Sequence, residues 1–201
     1  MIPGGDNYYE CPICENILSR GTLISGNTVG AQHFSDGKVI ASMLPQFPQI
    51  TKCKKCGSIF WIKDELLVSE PEDGNADVAR FLSINEYFQA LESNTYSSKD
   101  DELYIRQHIW WKFNDRVRQG KLLFLIENDK EKWKQNLHSL KGLVDSNITG
   151  GKLLIIEINR SLGNFDICRE SLADINDPDF EWVKEKFEKE VEKENTYVVH
   201  L

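Results

Sequence analysis

Four of the five cysteines in this 201-residue chain form two pairs, Cys11-Pro12-Ile13-Cys14 and Cys53-Lys54-Lys55-Cys56-Gly57. A two-residue spacer lets both sulfurs of a pair reach one tetrahedral ion while the backbone between them turns tightly. Gly57 allows the positive φ that such a turn needs, and Pro12 stiffens the first pair. The spacing therefore predicts a four-coordinate site made by Cys11, Cys14, Cys53 and Cys56, with one metal ion per chain. Zinc and iron both accept four thiolates. A structural zinc is the expected occupant, because no flavin or electron-transfer domain accompanies the pairs, and iron in a rubredoxin-like site is the alternative. Protein sulfur would fill every position and leave none open to water or substrate, so catalysis at the ion is not expected. His33, between the pairs, is expected on a hairpin surface.

The elements that must hold these sulfurs are short strands and turns. Thr22-Leu23-Ile24 runs into Ser25-Gly26-Asn27. Gln32-His33-Phe34 passes through Asp36-Gly37 into Lys38-Val39-Ile40, and Asp-Gly between apolar runs is a hairpin signal. Pro45 and Pro48 bracket an extended return to Ile50, and Ile59-Phe60-Trp61-Ile62 closes the sheet. A β domain over residues 1–63 with so few large apolar side chains needs a staple, which the metal supplies.

The order of motifs here resembles the N-terminal zinc ribbon of an uncharacterised group of bacterial proteins. The residues that carry the likeness are Cys11-Pro12-x-Cys14, Ser25-Gly26-Asn27-Thr28-x-Gly30-Ala31, Ser35-Asp36-Gly37-Lys38, Met43-Leu44-Pro45, Phe47-Pro48 and Thr51-Lys52-Cys53-x-Lys55-Cys56-Gly57. It covers about the first third of the chain, implies a ribbon fold and brings no activity with it.

Residues 64–82 contain Glu-Pro-Glu-Asp-Gly-Asn, an acidic cluster of chain breakers that reads as a linker. Beyond it, over 83–201, the apolar period lengthens to that of helices. Ser83-Ile84-Asn85-Glu86 has the form of a capping box. Ser98 opens a helix to about Arg118 whose apolar positions cover more than one face. Asn128-Asp129 opens another, Gly150-Gly151 is expected to break the chain, and Leu153–Leu162 follows as a helix ending at Gly163. Asn164 starts a helix through Cys168, and Asp177-Pro178 opens the last, with Trp182, Val183, Phe187 and Val191 facing inward. Ser161-Leu162-Gly163-Asn164-Phe165-Asp166-x-Cys168 with Leu172 and Ile175 resembles a tetratricopeptide repeat, which implies paired helices with Cys168 at their close approach. The fold class expected is α+β: a small N-terminal β zinc ribbon, then an all-α domain of TPR-like helical hairpins.

Charge narrows the function. The chain carries a net charge of −8. Residues 1–63 hold six basic and four acidic side chains, and residues 64–201 hold 18 basic and 28 acidic. Lys52, Lys54, Lys55 and Lys63 offset a four-thiolate site and form no net basic stripe of the kind a phosphate backbone requires. The chain has no run of apolar residues long enough to span a membrane and no secretory leader at its start, so a cytoplasmic protein with reduced thiols is expected. Nucleotide loops, Gly-x-Ser-x-Gly and His-Glu-x-x-His are absent.

The reading is a non-catalytic binding or scaffolding protein whose helical part takes a protein or peptide partner. Trp110, Trp111, Asn114, Asp115 and Arg116 form its densest mixture of aromatic and polar groups: a binding hot spot if the indoles are exposed, core if they are not. Nucleic-acid binding through Arg20, Lys38, Lys52, Lys54, Lys55, Phe60 and Trp61 is the alternative.

Overall fold

Each cysteine pair sits at the tip of an antiparallel hairpin. In the computed structural model, which covers Met1–Leu201, β1 (Ile2–Glu10) pairs with β2 (Ile17–Ser25), and the ladder ends with Glu10 opposite Ile17. Likewise β5 (Ile50–Lys52) pairs with β6 (Ile59–Trp61), ending with Lys52 opposite Ile59. Near the start of β1 the Thr22 side chain of β2 covers Gly4: a Cβ there would lie 2.1 Å from Thr22 Oγ1, so a larger residue must displace that hydroxyl. β3 (Gln32–His33) and β4 (Val39–Ile40) form the expected Asp-Gly hairpin, with Gly37 at φ +75°.

The stretch expected to be a plain acidic linker does more than connect. It opens with a 3-10 turn, Asp64–Leu66, and then adds β7 (Leu67–Val68) to β1 and β8 (Asp77–Val78), in parallel, to β2. The resulting sheet has the order β7-β1-β2-β8. Its strands are two to nine residues long, and the apolar clusters beside them are small. One gathers Cys11, Leu18, Cys53 and Phe60, and the other Tyr9, Ile62 and Ala79, with Leu66 against both.

The chain divides into two compact units, Met1–Ala31 with Ile40–Ser97, and Gln32–Val39 with Ser98–Leu201. Helix α1 (Ile84–Glu92) therefore belongs with the β elements. Ser83 and Glu86 form the expected capping box. Arg80 grips both Glu86 oxygens at 2.7 and 2.8 Å and lowers that carboxyl to about 2.

The second unit holds α2 (Lys99–Arg118), α3 (Asp129–Leu143), α4 (Thr149–Ser161), α5 (Phe165–Ala173) and α6 (Glu181–Glu192). The protein is thus α+β, with N-terminal strands and six helices, and no helix is long and apolar enough to cross a membrane. Gly150-Gly151 does not break the chain; both lie in the first turn of α4. The reason is steric, since a Cβ on Gly151 would stand 1.8 Å from the Asp145 carbonyl oxygen. Glycine is there for close approach, at a helix-propensity cost of about 1 kcal/mol. Gly163 ends α4 at φ +83°, and Cys168 is fully buried with its sulfur 3.4 Å from the Ile156 carbonyl. Pro178 starts a 3-10 turn, and α6 begins at Glu181. Val183, Phe187 and Val191 form its buried stripe, spaced by four. Trp182, expected inside, is 54% exposed because it stands one residue off that stripe.

The C-terminal tail docks on this chain. Ser35 N–H donates to the Val199 carbonyl at 2.9 Å, and Leu201 N–H to that of His33 at 2.9 Å. Arg160 anchors the tail from beneath by donating to the carbonyls of Asn195 and Tyr197. The same guanidinium forms a fully buried pair with Glu157, at 2.7 Å from each oxygen, and Ser35 Oγ donates to Glu157 at 2.6 Å. Burial raises the Glu157 carboxyl, with Arg160 and Ser35 opposing. Arg160→Met strands that carboxylate and unfastens the tail. It should cost about 3–5 kcal/mol in urea unfolding followed by helical circular dichroism.

His108 provides a pH probe of the same unit. Its imidazole stacks on Tyr104 at 3.9 Å and lies 2.9 Å from that residue's carbonyl oxygen. Burial lowers it from 6.5 to about 4, and Lys38 and Lys112 reinforce that against the Tyr104 carbonyl. The unfolded chain therefore takes up the proton first. Stability is full above pH 6.5 and falls toward pH 4 by an amount on the order of 3 kcal/mol. In His108→Phe that part of the pH dependence should vanish, as read by urea midpoints from pH 7.5 to 4.5.

Candidate metal centre

The two cysteine turns share one backbone pattern. Cys11 N–H donates to the Asn16 carbonyl at 2.9 Å, and Cys53 N–H to that of Ser58 at 2.9 Å. Glu15 N–H returns to the Cys11 carbonyl at 3.0 Å, and Gly57 N–H to that of Cys53 at 3.0 Å. Each turn closes through a left-handed residue four places after its first cysteine, Glu15 at φ 59° and Gly57 at φ 76°. The knuckles are therefore equivalent. One uses the glycine that the geometry favours, and the other forces a glutamate into the same conformation.

This symmetry brings the Sγ atoms of Cys11, Cys14, Cys53 and Cys56 within 4.8 Å of one another. Across the knuckles, Cys11 lies 3.7 Å from Cys56 and Cys14 lies 3.7 Å from Cys53. A metal–sulfur bond of about 2.3 Å sets the edge of a regular tetrahedron near 3.8 Å. The two 3.7 Å separations match that edge, all five cysteines of the chain are free thiols, and the four can hold a metal ion.

The surroundings distinguish the four sulfurs. Cys11 and Cys53 are buried, Cys14 is half-buried and Cys56 is exposed. Ser58, which the sequence did not single out, places its hydroxyl 3.0 Å from Cys56 and 3.3 Å from Cys11. That hydroxyl, then the Ser58 backbone N–H, lowers the Cys56 thiol to about 6. For Cys14 the Asn16 backbone N–H favours the thiolate, but desolvation and the thiols of Cys56, Cys53 and Cys11 prevail and push it up to about 12. Metal-free, Cys14 keeps a proton that a bound cation would displace.

Two lysines at the second knuckle, Lys52 and Lys54, are paired with acids. Lys54 lies 3.0 Å from Asp77, whose other oxygen accepts from Asn16 of the first knuckle at 3.0 Å, and Lys52 lies 3.6 Å from Glu86. Arg20 donates to Tyr9 Oη at 2.8 Å and lies over the same ring. Phe60 is buried, and the Trp61 indole donates to the Thr95 carbonyl at 2.6 Å.

The aromatic and polar group on α2 is occupied from within. Trp110 is fully buried and Asn114 nearly so. Trp111 Nε1 donates to the Asp36 carbonyl at 3.0 Å, Asn114 donates to the Asp36 carboxylate at 2.8 Å, and Arg118 also grips that carboxylate. Lys38 meets Asp115 at 2.6 Å. Arg116 faces elsewhere, binding the Leu123 carbonyl at 2.9 Å and Asp129 at 2.7 Å. Trp111, Asn114 and Asp115 thus receive the turn Asp36-Gly37-Lys38 of this same chain. His33 is exposed beside Leu201. No family model, curated protein or solved structure matches the chain.

The knuckle equivalence is testable by exchange. Glu15→Gly relieves a left-handed glutamate and should raise stability by about 0.5–1 kcal/mol, while Gly57→Ala should lower it by about 1 kcal/mol or more. Thermal unfolding of the metal-loaded chain reads both.

Proposed function

We propose that Cys11, Cys14, Cys53 and Cys56 hold one structural zinc ion, and that the protein is a cytoplasmic, non-catalytic binding or scaffolding module. In this reading its helical unit, built of TPR-like hairpins, takes a protein or peptide partner. The observation that carries it is the sulfur cage itself: four protein sulfurs at tetrahedral spacing leave no position for water or substrate. The ion would keep all four thiols deprotonated and lock the two hairpins together.

Two features favour a protein partner over nucleic acid. Lys52 and Lys54 of the ribbon lie against acids of the chain, which takes two of its cations out of any basic stripe. Meanwhile α6 leaves Trp182 exposed at a cleft of about 240 Å³ lined by Phe34, Val39, Leu153, Leu154 and Phe187. A half-covered indole beside an apolar cleft is the kind of group on which interface energy concentrates. Trp182 replaces Trp110 and Trp111 as the aromatic candidate.

Metal analysis of the chain, expressed with zinc and iron both supplied, should return one zinc per chain. A red iron–thiolate absorbance would favour the rubredoxin-like alternative. Chelation, or Cys53→Ser, should unfold the first unit, α1 included, and leave the helical circular dichroism of α2 to α6 in place. A labelled duplex at low salt should be left unshifted, and a protein captured by the wild type should be lost with Trp182→Ala and kept with Lys55→Ala.

A further inference from the structure

The four sulfurs have unequal access to solvent. Cys56 is exposed while Cys11 and Cys53 are buried. A sulfur of the other knuckle, Cys11, lies 3.7 Å from Cys56, and the Ser58 hydroxyl touches both. A disulfide needs about 2.05 Å between sulfurs, so the pair must close by a little under 2 Å to join. Cys53, the neighbour of Cys56 in sequence, faces Cys14 at 3.7 Å instead. The remaining thiol, Cys168, is fully buried among the helices.

We propose that Cys56 is an oxidation site of the centre and that Cys11 resolves it, which makes metal retention redox-dependent. This rests on the structural-zinc reading above. The oxidant is a peroxide. The Cys56 sulfur attacks one peroxide oxygen, an S–O bond forms, the O–O bond breaks, and the departing oxygen takes up protons as water. The Cys11 thiolate then attacks the Cys56 sulfur, forming the S–S bond and displacing hydroxide, which is protonated to a second water. The two sulfurs give up one electron each, and the peroxide takes both. With Cys11 and Cys56 bonded to each other, only Cys14 and Cys53 would remain to hold the ion, too few to retain it. A reducing thiol reverses the bond and restores the cage.

The test uses the full chain as purified, with zinc measured first. Hydrogen peroxide is added below and then above one equivalent. Zinc release is followed with a chromogenic chelator, sulfenic acid with a dimedone-type probe, and disulfides by peptide mass mapping after alkylation. The expected result is label on Cys56, then a Cys11–Cys56 disulfide formed in step with one equivalent of zinc released, reversed by dithiothreitol. Cys168→Ala should behave as the wild type. Cys56→Ser, where it still binds zinc, should slow release by about tenfold or more. First label on Cys14, a first disulfide joining Cys53 to Cys56, or zinc that stays bound under excess peroxide would overturn the proposal. A chain that carries no zinc before peroxide defeats the structural-zinc reading, and the disulfide map still decides the pairing.

Discussion

The first unit depends on four sulfurs being held at one point, because little else in it can hold two hairpins together. Strands β5 and β6 have three residues each, and a lone two-stranded hairpin is marginal in water. The apolar clusters beside the sheet are small, and two of the residues in one of them are the cage cysteines Cys11 and Cys53. The cage is thus part of the core. The equivalent backbone bonds of the knuckles fix where each strand pair ends, at Glu10 opposite Ile17 and Lys52 opposite Ile59. That register aims both pairs at the same point. Asp77 then draws the knuckles toward each other, accepting from Asn16 of one and pairing with Lys54 of the other.

The second unit is held by a different device. Asp36, Glu157 and Arg160 are fully buried, and each would be costly alone in a low dielectric. They are tolerated because every one is matched: Asp36 by Asn114 and Arg118, Glu157 by Arg160 and Ser35. Such a network adds little to stability compared with apolar packing of the same volume, but it penalises any arrangement that leaves one member unpaired. Here it specifies where the short segment Gln32–Val39 and the C-terminal tail must lie. Arg160 reaches the tail, Ser35 bonds both the tail and Glu157, and the neighbouring Asp36 is met by α2.

What the sequence made legible follows from how local each signal is. The cysteine spacing, the Ser83 capping box, the Ser98 cap and the Gly163 stop are decided within a few residues, and each lies where the sequence puts it. Long-range matches were not legible. Nothing local marks Ser35 and Asp36 as partners of residues about 80 to 120 positions away, so from sequence Asp36-Gly37-Lys38 reads only as a hairpin turn. The same blindness made Trp111, Asn114 and Asp115 look available for a partner. Gly150-Gly151 misled for a related reason: its glycines answer a close backbone approach to Asp145, which no propensity encodes. Trp182 was placed inside because the apolar stripe of α6 was drawn one residue too wide. Ser58 carries no motif and is recognisable only once the second knuckle is folded.

Charge placement constrains what the exposed faces can do. A surface that grips phosphate keeps its cations free, whereas here Lys38 and Lys54 approach carboxylates within hydrogen-bond range and Lys52 lies at 3.6 Å. An ion held by all four cysteine sulfurs would have no open coordination position for catalysis. On the helical unit, Trp110 is core and Trp111 is fastened to Asp36, so neither presents a free indole. The indole left to solvent is that of Trp182, beside a cleft whose walls are Phe34, Leu153, Leu154 and Phe187. Leu201 also lines that cleft, delivered by the docked tail, so any arrangement that releases the tail from Arg160 and Ser35 would enlarge the same apolar surface. The buried network and the binding reading therefore meet at one place: the groups that hold the tail also set the shape of the cleft.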